Sequence, residues 1–277
     1  MSRSVHDAFA AVARNIAATG SPSEQEYWRF HEARFRRTVQ RLSELLPANA
    51  VILDVGSHFL HLAAILASLG FRVVALDVAA FAAMPHVQQR ATSFSIDQRV
   101  VDFTEFADGT FLGAESDTYD AILLCEVIEH LTFNPVRFWK RAYELLRLNG
   151  VVYITTPNAM TLLAAAGAAW GLLTLSRIGL NAKRIMSDVT YGHHWKEYTA
   201  PELQRYFQSL TPDWDVQVRR FSLGDRPDPF TGRDLASRAR SMLLTLGNRT
   251  GLFADQIEAV VTLRRREHWR APAPDYA

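Results

Sequence analysis

Between Val51 and Arg264, short apolar runs alternate with segments of helical pattern, and this alternation constrains the fold more than any other feature of the chain. The runs are almost continuously apolar, as expected of strands that are buried on both faces. The sequence therefore predicts an α/β fold with a doubly wound, mostly parallel sheet between two layers of helices. Strands are predicted at 51–55, 72–77, 96–101, 119–125, 151–155, 215–221 and 258–264.

Helix signals divide the chain into a central domain and its extensions. Ser23 to Glu26 form a capping-box pattern for a helix ending near Leu46, so 1–50 is predicted to be an N-terminal helical extension. The central domain is predicted at 51–264, with a cap insertion at about 159–195 and a second insertion at about 222–257. A flexible tail is predicted at 265–277. Further helices are predicted at 58–69, 134–149, from 199 onward and at about 234–246.

Charge and cysteine content exclude several classes of protein. Thirty Lys and Arg residues against twenty-nine Asp and Glu residues give a formal net charge of +1, so nucleic-acid binding is not expected. Cys125 is the single cysteine, which excludes an internal disulfide framework and a cysteine-rich metal site. The first residues include Asp7 and Arg14 and contain no signal-peptide core, so a cytoplasmic location is predicted.

One apolar segment allows three interpretations. The eighteen residues from Ala159 to Ser176 carry no charge, and this length lies at the lower limit for a membrane-spanning helix. Predicted strands lie on both sides of the segment, and a span would put two parts of one sheet on opposite sides of a bilayer. We expect a helical cap buried over the ligand pocket. A peripheral membrane or lipid-substrate contact and a true span are the alternatives.

The first β-α-β unit carries the strongest ligand signal. The strand that contains Asp54 ends at Gly56, and the next strand ends at Asp77, 21 residues further on. At this spacing an acidic side chain meets ribose hydroxyls in doubly wound folds, and Gly56 lets the backbone approach a ligand. The alternative is a generic α/β turn with an acidic strand end. A Gly-x-Gly-x-x-Gly turn is absent, so a dinucleotide dehydrogenase is the weaker interpretation.

Longer motifs support a nucleoside ligand. LDVGS, the acidic end of the second strand, VVDF, YDAILLCEVIEHL and LNGVVYITTPN follow one another between Val51 and Leu203. In this combination the sequence resembles the class I S-adenosylmethionine-dependent methyltransferases. The resemblance implies a Rossmann-like methyltransferase fold, whose seven-stranded sheet has an antiparallel last strand. S-adenosylmethionine is then the implied cofactor, and it lies across the ends of the first, second and fourth strands.

The same resemblance implies roles for individual residues. Asp54, Gly56 and Ser57 correspond to positions that flank the methionine part of the cofactor, and Asp77 corresponds to the acid that holds the ribose. The adenine would meet Asp102 and Phe103, and the remaining cofactor contacts are expected at Val78, Cys125 and Glu126.

The glycine-rich loop departs from the family pattern. His58 and Leu60 stand where the family usually has its later two glycines, and a Cβ atom at these positions restricts the backbone. The loop is therefore expected either to take another path or to bind the cofactor weakly. A catalytically inactive protein with the methyltransferase fold is one alternative function. A membrane-peripheral assembly subunit is the other.

A second resemblance is narrower and concerns a metal ion. Glu126-x-x-Glu129-His130, followed by TTPN and by His194-Trp-Lys-Glu-Tyr-Thr, is similar to the pattern of small-RNA 2′-O-methyltransferases, and quinone-precursor O-methyltransferases share the first stretch. The resemblance implies a divalent cation, Mg²⁺ or Mn²⁺, held by Glu126, Glu129, His130 and His194. Such a mixed oxygen and nitrogen shell suits these ions. The alternative is that both glutamates only cap a helix and the histidines bond locally.

Transfer of a methyl group to a hydroxyl requires a proton acceptor. The candidates are His130, His193 and His194, which cluster at the predicted substrate end of the sheet. Oxygen is the expected methylated atom because of the resemblance. The apolar segment favours a small-molecule, lipid-linked or glycan acceptor over a highly charged metabolite, and a homodimer is a further possible assembly.

Overall fold

The computed structural model describes residues 4–108, 116–174, 193–223 and 235–273. Within these ranges the strands are β1 Val51–Val55, β2 Arg72–Asp77, β3 Asp97–Val100, β4 Tyr119–Cys125, β5 Leu146–Pro157, β6 Trp214–Phe221 and β7 Gln256–Leu263. They form one seven-stranded sheet in the order β3-β2-β1-β4-β5-β7-β6. β7 runs antiparallel to its neighbours β5 and β6, and the other neighbouring pairs are parallel. The predicted fold class is confirmed.

Helices cover both faces of this sheet. In the described ranges they are α1 Val5–Thr19, α2 Pro22–Leu45, α3 His61–Ser68, α4 Ala79–Ala82, α5 Pro85–Ser93, α6 Phe103–Asp108, α7 Val136–Leu145, α8 Leu162–Thr174, α9 Ala200–Leu210 and α10 Leu235–Thr250, with a 3₁₀ turn at Ile128–His130. One buried cluster joins α1, α2, α3 and α5 to the sheet through residues such as Phe9, Trp28 and Ile65. A second joins α7 and α9 to the opposite face through Trp139 and Phe207.

Two helix starts differ from the sequence prediction. α2 is capped by Ser21, whose hydroxyl accepts a hydrogen bond from the Glu24 amide. The capping box predicted from Ser23 is therefore wrong by two residues. α3 begins at His61 rather than His58, because His58 and Leu60 have positive φ angles of 48° and 60°. A left-handed residue cannot continue a right-handed helix.

The helix predicted to reach Asn149 ends earlier. α7 stops at Leu145, and β5 starts at Leu146, which pairs with Tyr119 of β4. Asn149 has a φ of 65°, and a Cβ at Gly150 would lie 2.9 Å from the Arg147 carbonyl oxygen. This tight turn inside β5 requires glycine, and the Asn-Gly pair therefore bends a strand instead of ending a helix.

The first residues of the expected tail contact the domain. The carboxylate of Asp213 is buried and accepts from the backbone amides of Glu267 and His268, each at 2.7 Å, and from the Tyr143 hydroxyl at 2.6 Å. Trp269 packs against Trp214, with ring centroids 5.8 Å apart. Residues 265–273 are therefore held by the fold, which differs from the flexible tail expected there; 274–277 lie outside the described residues.

The apolar segment forms α8, which is not the buried cap that the sequence predicted. Trp170, Leu172 and Leu173 are 67%, 64% and 82% exposed, and Gly171 is the buried residue of this helix. α8 packs against α10, where a Cβ at Gly247 would lie 3.5 Å from Leu162. No described helix has both the length and the hydropathy needed to cross a bilayer. The rest of the predicted cap, 175–192, lies outside the described residues.

Candidate active site

The carboxyl ends of β1, β2 and β4 meet at a cavity of about 580 Å³. Parallel sheets of this type place their ligands at this edge, beside the point where the strand order reverses. The lining residues come mainly from the strand ends, from α2 and from the described end of the predicted cap. They are Tyr27, Phe30, His31, Arg34, Gly56, His58, Asp77, Val78, Phe81, Cys125, Glu126, Val127, Glu129, His130, Pro157, His194 and Gln256.

Three residues of the loop after β1 have left-handed backbone conformations. Gly56 has a φ of 73°, and a Cβ there would lie 2.6 Å from Cγ2 of Val127. His58 and Leu60 occupy the left-handed region that glycine favours, at a cost of about 1–2 kcal/mol each. Both residues therefore hold a conformation that is typical of glycine, although each carries a Cβ atom.

The side chain of His58 fills space beside the loop. Its ring lies between those of Tyr27 and Phe81, with centroid distances of 4.5 Å and 4.2 Å. Burial lowers the pKa of His58 to about 3, so the ring is neutral at physiological pH. A neutral ring packed among aromatic rings forms a wall of the cavity rather than a cationic contact for a ligand.

Asp77 lies in the cavity at the end of β2, as predicted. Its Oδ2 accepts from the His58 amide at 2.5 Å, and its Oδ1 accepts from the Val78 amide at 2.8 Å. Burial raises the pKa of this carboxyl group, although both amides act to lower it. Each carboxylate oxygen can accept more than one hydrogen bond, so two vicinal hydroxyls of a ligand can still be bound.

Asp54 and Ser57 lie in a smaller pocket that shares Gly56 and Cys125 with the cavity. Burial, together with the charge of Asp77, raises the pKa of Asp54 to about 7. The Ser57 hydroxyl donates to the Leu76 carbonyl oxygen at 3.3 Å. Burial also raises the pKa of the Cys125 thiol, which is therefore protonated and unreactive as a nucleophile.

Arg34 of α2 enters the cavity and pairs with Glu126 at the end of β4. The Arg34 Nη1 atom lies 3.1 Å from Oε2 of Glu126, and both side chains are largely buried. Glu126 has a φ of 61°, a strained conformation that turns the chain out of β4. The sequence predicted Glu126 as a metal ligand, but the structure directs its carboxylate to a guanidinium group.

A buried ion network positions α2 over the loop. Glu24 accepts from Nε2 of His61 at 2.8 Å and pairs with Arg90 at 2.5 Å, and Arg90 also donates to the Phe59 carbonyl oxygen at 2.6 Å. Burial acts to raise the pKa of Glu24, but the bonds from His61 and Arg90 lower it to about 2. The N-terminal extension is thus bonded to the loop that follows β1.

Glu129, His130 and His194 converge beside the cavity. Each offers one ligand atom, and the three atoms lie within 4.8 Å of one another. Glu129 Oε2 accepts from the Thr156 hydroxyl at 2.9 Å, while its Oε1 is buried without a hydrogen-bond partner. Burial, with the negative charge of Glu126, raises the pKa of Glu129 to about 8. Three of the four residues that the sequence predicted as metal ligands therefore lie together, and the metal itself stays a prediction.

The three candidate proton acceptors occupy different environments. His130 Nδ1 lies 2.8 Å from the His193 carbonyl oxygen, so Nδ1 carries the proton and Nε2 keeps a free lone pair. His194 Nδ1 bonds to Glu197 at 2.9 Å, and this bond raises the pKa of His194. The His193 ring is buried against Trp195 and is not among the residues that line the cavity.

Asp102, one of the two residues predicted to contact adenine, lies outside the cavity lining. Asp102 is exposed, and its Oδ1 accepts from the amides of Thr104 and Glu105, at 2.7 Å and 2.8 Å. It therefore caps α6 and is not among the cavity-lining residues. The side chain of Phe103 lies outside the described residues.

Sequence reasoning missed the contribution of α2. Tyr27, Phe30, His31 and Arg34 line the cavity, yet they belong to the segment predicted as a separate extension. Their spacing of three, four and seven residues puts them on one helical face. That stripe of aromatic and basic residues was the available signal, although only the docking of α2 shows which site it faces.

Comparisons with known proteins agree with the sheet topology. A sequence model of the family described as "Methyltransferase domain" matches residues 27–210, which include most of α2. The ubiquinone biosynthesis O-methyltransferase of Xanthomonas axonopodis pv. citri (strain 306) is 27% identical over 163 residues, covering 57% of this chain. The chain spans 60% of the length of that relative.

Two solved structures have a similar fold. The S-adenosylmethionine-dependent methyltransferase of Archaeoglobus fulgidus has a TM-score of 0.51 at 15% identity, covering 85% of this chain and 98% of that one. The phosphoethanolamine N-methyltransferase 2 of Haemonchus contortus, in complex with S-adenosylhomocysteine, has a TM-score of 0.52 at 13% identity, covering 83% of this chain and 53% of that one. At these identities the likeness concerns the fold.

Proposed function

Since the chain belongs to the family of S-adenosylmethionine-dependent methyltransferases, we propose that it methylates a hydroxyl oxygen of a small acceptor in the cavity at the ends of β1, β2 and β4. One observation carries this proposal: Asp77, the predicted ribose-binding acid, shares that cavity with His130 and His194, the candidate proton acceptors. The 27% identical relative that is named as an O-methyltransferase supports oxygen as the methylated atom.

The residues of the cavity fit the proposed cofactor. Gly56 has a left-handed backbone that lets a ligand approach the loop closely, and a Cβ there would collide with Val127. Asp77 has acceptor capacity left for the ribose hydroxyls, and we assign Gly56, Asp77, Val78, Cys125 and Glu126 to cofactor binding. Asp54 and Ser57 support the methionine side through the adjoining pocket. A role for Asp102 and Phe103 at the adenine stays a prediction.

When bound, the cofactor supplies a methyl group that its sulfonium centre already activates. The protein must align the acceptor oxygen with the C–S bond and remove the hydroxyl proton. His130 is the best-placed acceptor of that proton, because its Nδ1 is held by the His193 carbonyl oxygen and its unprotonated Nε2 lies beside the cavity, 4.0 Å from Oε1 of Glu129. As the methyl group passes from sulfur to the acceptor oxygen, Nε2 of His130 would take up the hydroxyl proton.

A divalent cation is the second candidate for activating the hydroxyl. The convergent atoms of Glu129, His130 and His194 offer one carboxylate and two imidazoles, and the unpartnered Oε1 of Glu129 is a free ligand position. Mg²⁺ or Mn²⁺ at this place would lower the pKa of a bound hydroxyl. Glu126 lies outside this group of three, and its Oε2 pairs with Arg34.

Chelation separates the two mechanisms. With a metal, exhaustive EDTA treatment abolishes turnover, added Mn²⁺ restores it, and Mn²⁺ titration followed by EPR shows one site that His194→Ala removes. With His130 as the general base, chelated protein keeps its full rate and His130→Ala reduces kcat by about 10²–10⁴-fold. His268→Ala is the matched control, because His268 lies beside Asp213 and away from the cavity.

The acceptor is proposed to be apolar or lipid-linked, and contact with a lipid surface is favoured by the exposed face of α8 and α10. Trp170, Leu172 and Leu173 of α8 and Met242 of α10 are more than half exposed. The sequences of the two helices contain three arginines and no acidic residue. Exposed apolar side chains beside basic ones are typical of helices that bind anionic lipid surfaces.

Vesicle binding tests this contact. We expect the protein to sediment with phosphatidylglycerol vesicles and not with phosphatidylcholine vesicles, and Leu173→Glu should weaken the binding. Ala168→Glu adds the same charge to the same helix without removing a large apolar side chain, and it is therefore the control. Absence of vesicle binding, combined with a dimer that Leu173→Glu dissociates, would assign this face to a homodimer instead.

The deciding experiment is a methyl-transfer screen. Calorimetry first measures binding of S-adenosylmethionine, and phenolic, polyprenylated and glycan hydroxyl acceptors are then tested for release of S-adenosylhomocysteine. Mass spectrometry of the product identifies the methylated atom. Cofactor binding without turnover on any acceptor class would favour the inactive binding protein, and methylation of nitrogen or carbon would refute the hydroxyl assignment.

A further inference from the structure

Gln256 is a buried amide at the start of β7 whose hydrogen bonding is incomplete. It lines the cavity and is 5% exposed, and its Oε1 atom has no hydrogen-bond partner among the described residues. Asn158, a buried amide at the end of the adjacent strand, is fully bonded. Its Nδ2 donates to the carbonyl oxygens of Met160 and Ala254, and its Oδ1 accepts from the Met160 amide. An unpaired buried amide destabilises a folded protein, so Gln256 needs an explanation other than a structural one.

Gln256 lies in the part of the cavity away from Asp77. Because β7 is antiparallel, its first residue lies at the edge where β5 ends, and Gln256 is opposite Pro157. The residue before Pro157 is Thr156, whose hydroxyl donates to Glu129. At about 4.8 Å per strand, β7 lies about 10 Å from β4 and about 19 Å from β2, which ends at Asp77. Gln256 is therefore near the candidate proton acceptors and far from the predicted ribose position.

We propose that Gln256 is a specificity-determining residue that binds a second polar group of the methyl acceptor, a hydroxyl or an N–H group beside the hydroxyl that is methylated. The proposal rests on the proposed function. The unpartnered Oε1 atom accepts hydrogen bonds and cannot donate them, so the matching group of the acceptor is a donor. The terminal torsion of glutamine has a broad, roughly two-fold preference, and no bond holds Oε1, so the amide can turn this atom toward a ligand at little cost.

Such a contact selects among acceptors. Because Oε1 of Gln256 is unpaired in the free protein, an acceptor with the donor group gains a hydrogen bond that an acceptor without it never forms. The same bond orients the acceptor, with the hydroxyl that is methylated turned toward His130. Part of the selectivity should therefore appear in kcat as well as in KM.

Phenols that differ at one position provide the test. Catechol and 2-aminophenol carry a donor group beside the hydroxyl, 2-methoxyphenol has an ether there, and phenol has only hydrogen. In the wild-type protein, kcat/KM for O-methylation of the first two should exceed that of the last two by about tenfold or more, the effect of one buried hydrogen bond. Gln256→Met has a similar length without the amide, and it should abolish this preference. Its affinity for S-adenosylmethionine should stay within about twofold, because the cofactor lies elsewhere in the cavity.

Gln217→Met is the matched control, because Gln217 is exposed on β6 and does not line the cavity. It should keep the wild-type preference. If Gln256→Met does not fold, Gln256→Glu decides, since it keeps an oxygen acceptor and should therefore keep the preference.

Three results would overturn the proposal. They are a donor preference that persists in Gln256→Met, equal rates for all four phenols in the wild-type protein, and turnover of none of them by protein that binds the cofactor in calorimetry. The last result would leave the proposed function to the lipid-linked and glycan acceptors. Wild-type protein that does not bind S-adenosylmethionine would instead refute the proposed function.

Discussion

Replacement of Gly56 by alanine separates backbone strain from steric exclusion at the loop after β1. Gly56 has a φ of 73°, and the added Cβ would lie 2.6 Å from Cγ2 of Val127, a distance that requires one of the two residues to move. Val127 is buried and β-branched, so its side chain has little rotameric freedom to move away. Gly20 has a similar φ of 67° with nothing within 4 Å, and it provides the matched control.

The losses of unfolding free energy in the two variants should differ only by the steric cost of the added Cβ at Gly56. Gly20→Ala should lower the free energy of unfolding by about 1 kcal/mol, which is the cost of the left-handed conformation less the entropy that alanine removes from the unfolded chain. Gly56→Ala carries the same strain and in addition an overpacking cost of about 1–3 kcal/mol. Its total loss is therefore expected to be about 2–4 kcal/mol.

Urea unfolding at constant m-value measures these losses, and calorimetry measures cofactor binding. The Gly56→Ala, Val127→Ala double variant should lose less stability than the sum of the two single variants, by about 1–3 kcal/mol, because the shortened side chain makes room for the new Cβ. Cofactor affinity should fall in Gly56→Ala and stay unchanged in Gly20→Ala. Additive single losses, or equal losses for both glycines, would refute the steric reasoning.

Three further predictions concern charged groups. Asp77→Ala should weaken S-adenosylmethionine binding by about tenfold or more while the fold survives, because each lost charge-assisted bond contributes about 1–3 kcal/mol. Calorimetry measures this affinity, and exposed Asp97→Ala is the control. Unchanged affinity in Asp77→Ala would refute the ribose assignment. Because the pKa of Glu24 is lowered to about 2, its contribution to the free energy of unfolding is complete above the ordinary pKa near 4.5 and is lost as pH falls toward 2. In urea unfolding, Glu24→Gln should therefore lower the free energy of unfolding at pH 7 and lower it little at pH 2.5. A loss that is independent of pH would contradict this. Asp213→Asn should release residues 265–273 by weakening the hydrogen bonds from the Glu267 and His268 amides. Hydrogen exchange should detect this release as faster exchange of both amides. Unchanged protection would show that Trp269 packing alone holds the segment.

Local patterns explain why much of the sheet was predictable. The central strands β1, β4 and β7 are short, largely apolar runs because both of their faces are covered, and such runs are visible without any knowledge of distant contacts. β4 agrees with its predicted bounds, 119–125, to the residue. The carboxyl ends of β1, β2 and β4 follow from this alternation, and with them the places of Gly56, Asp77 and Glu129.

Boundaries and exposure were less predictable. α8 was expected to be buried because its sequence is apolar, but apolar composition does not say whether a covering surface exists. α3 starts late because His58 and Leu60 adopt conformations that their side chains disfavour, and only contacts in the folded chain, such as the His58 amide with Asp77, can hold them there.

The sequence alone determined the fold class, the family and the edge of the sheet at which the ligand site lies, since periodicity and strand-end chemistry are local properties. Tertiary structure decided which side chains face one another there. It directed Glu126 to Arg34 instead of to the Glu129, His130 and His194 cluster, and it used Asp102 as a helix cap. These pairings depend on how α2 docks on the sheet, and burial makes their energies large enough to select one partner over another.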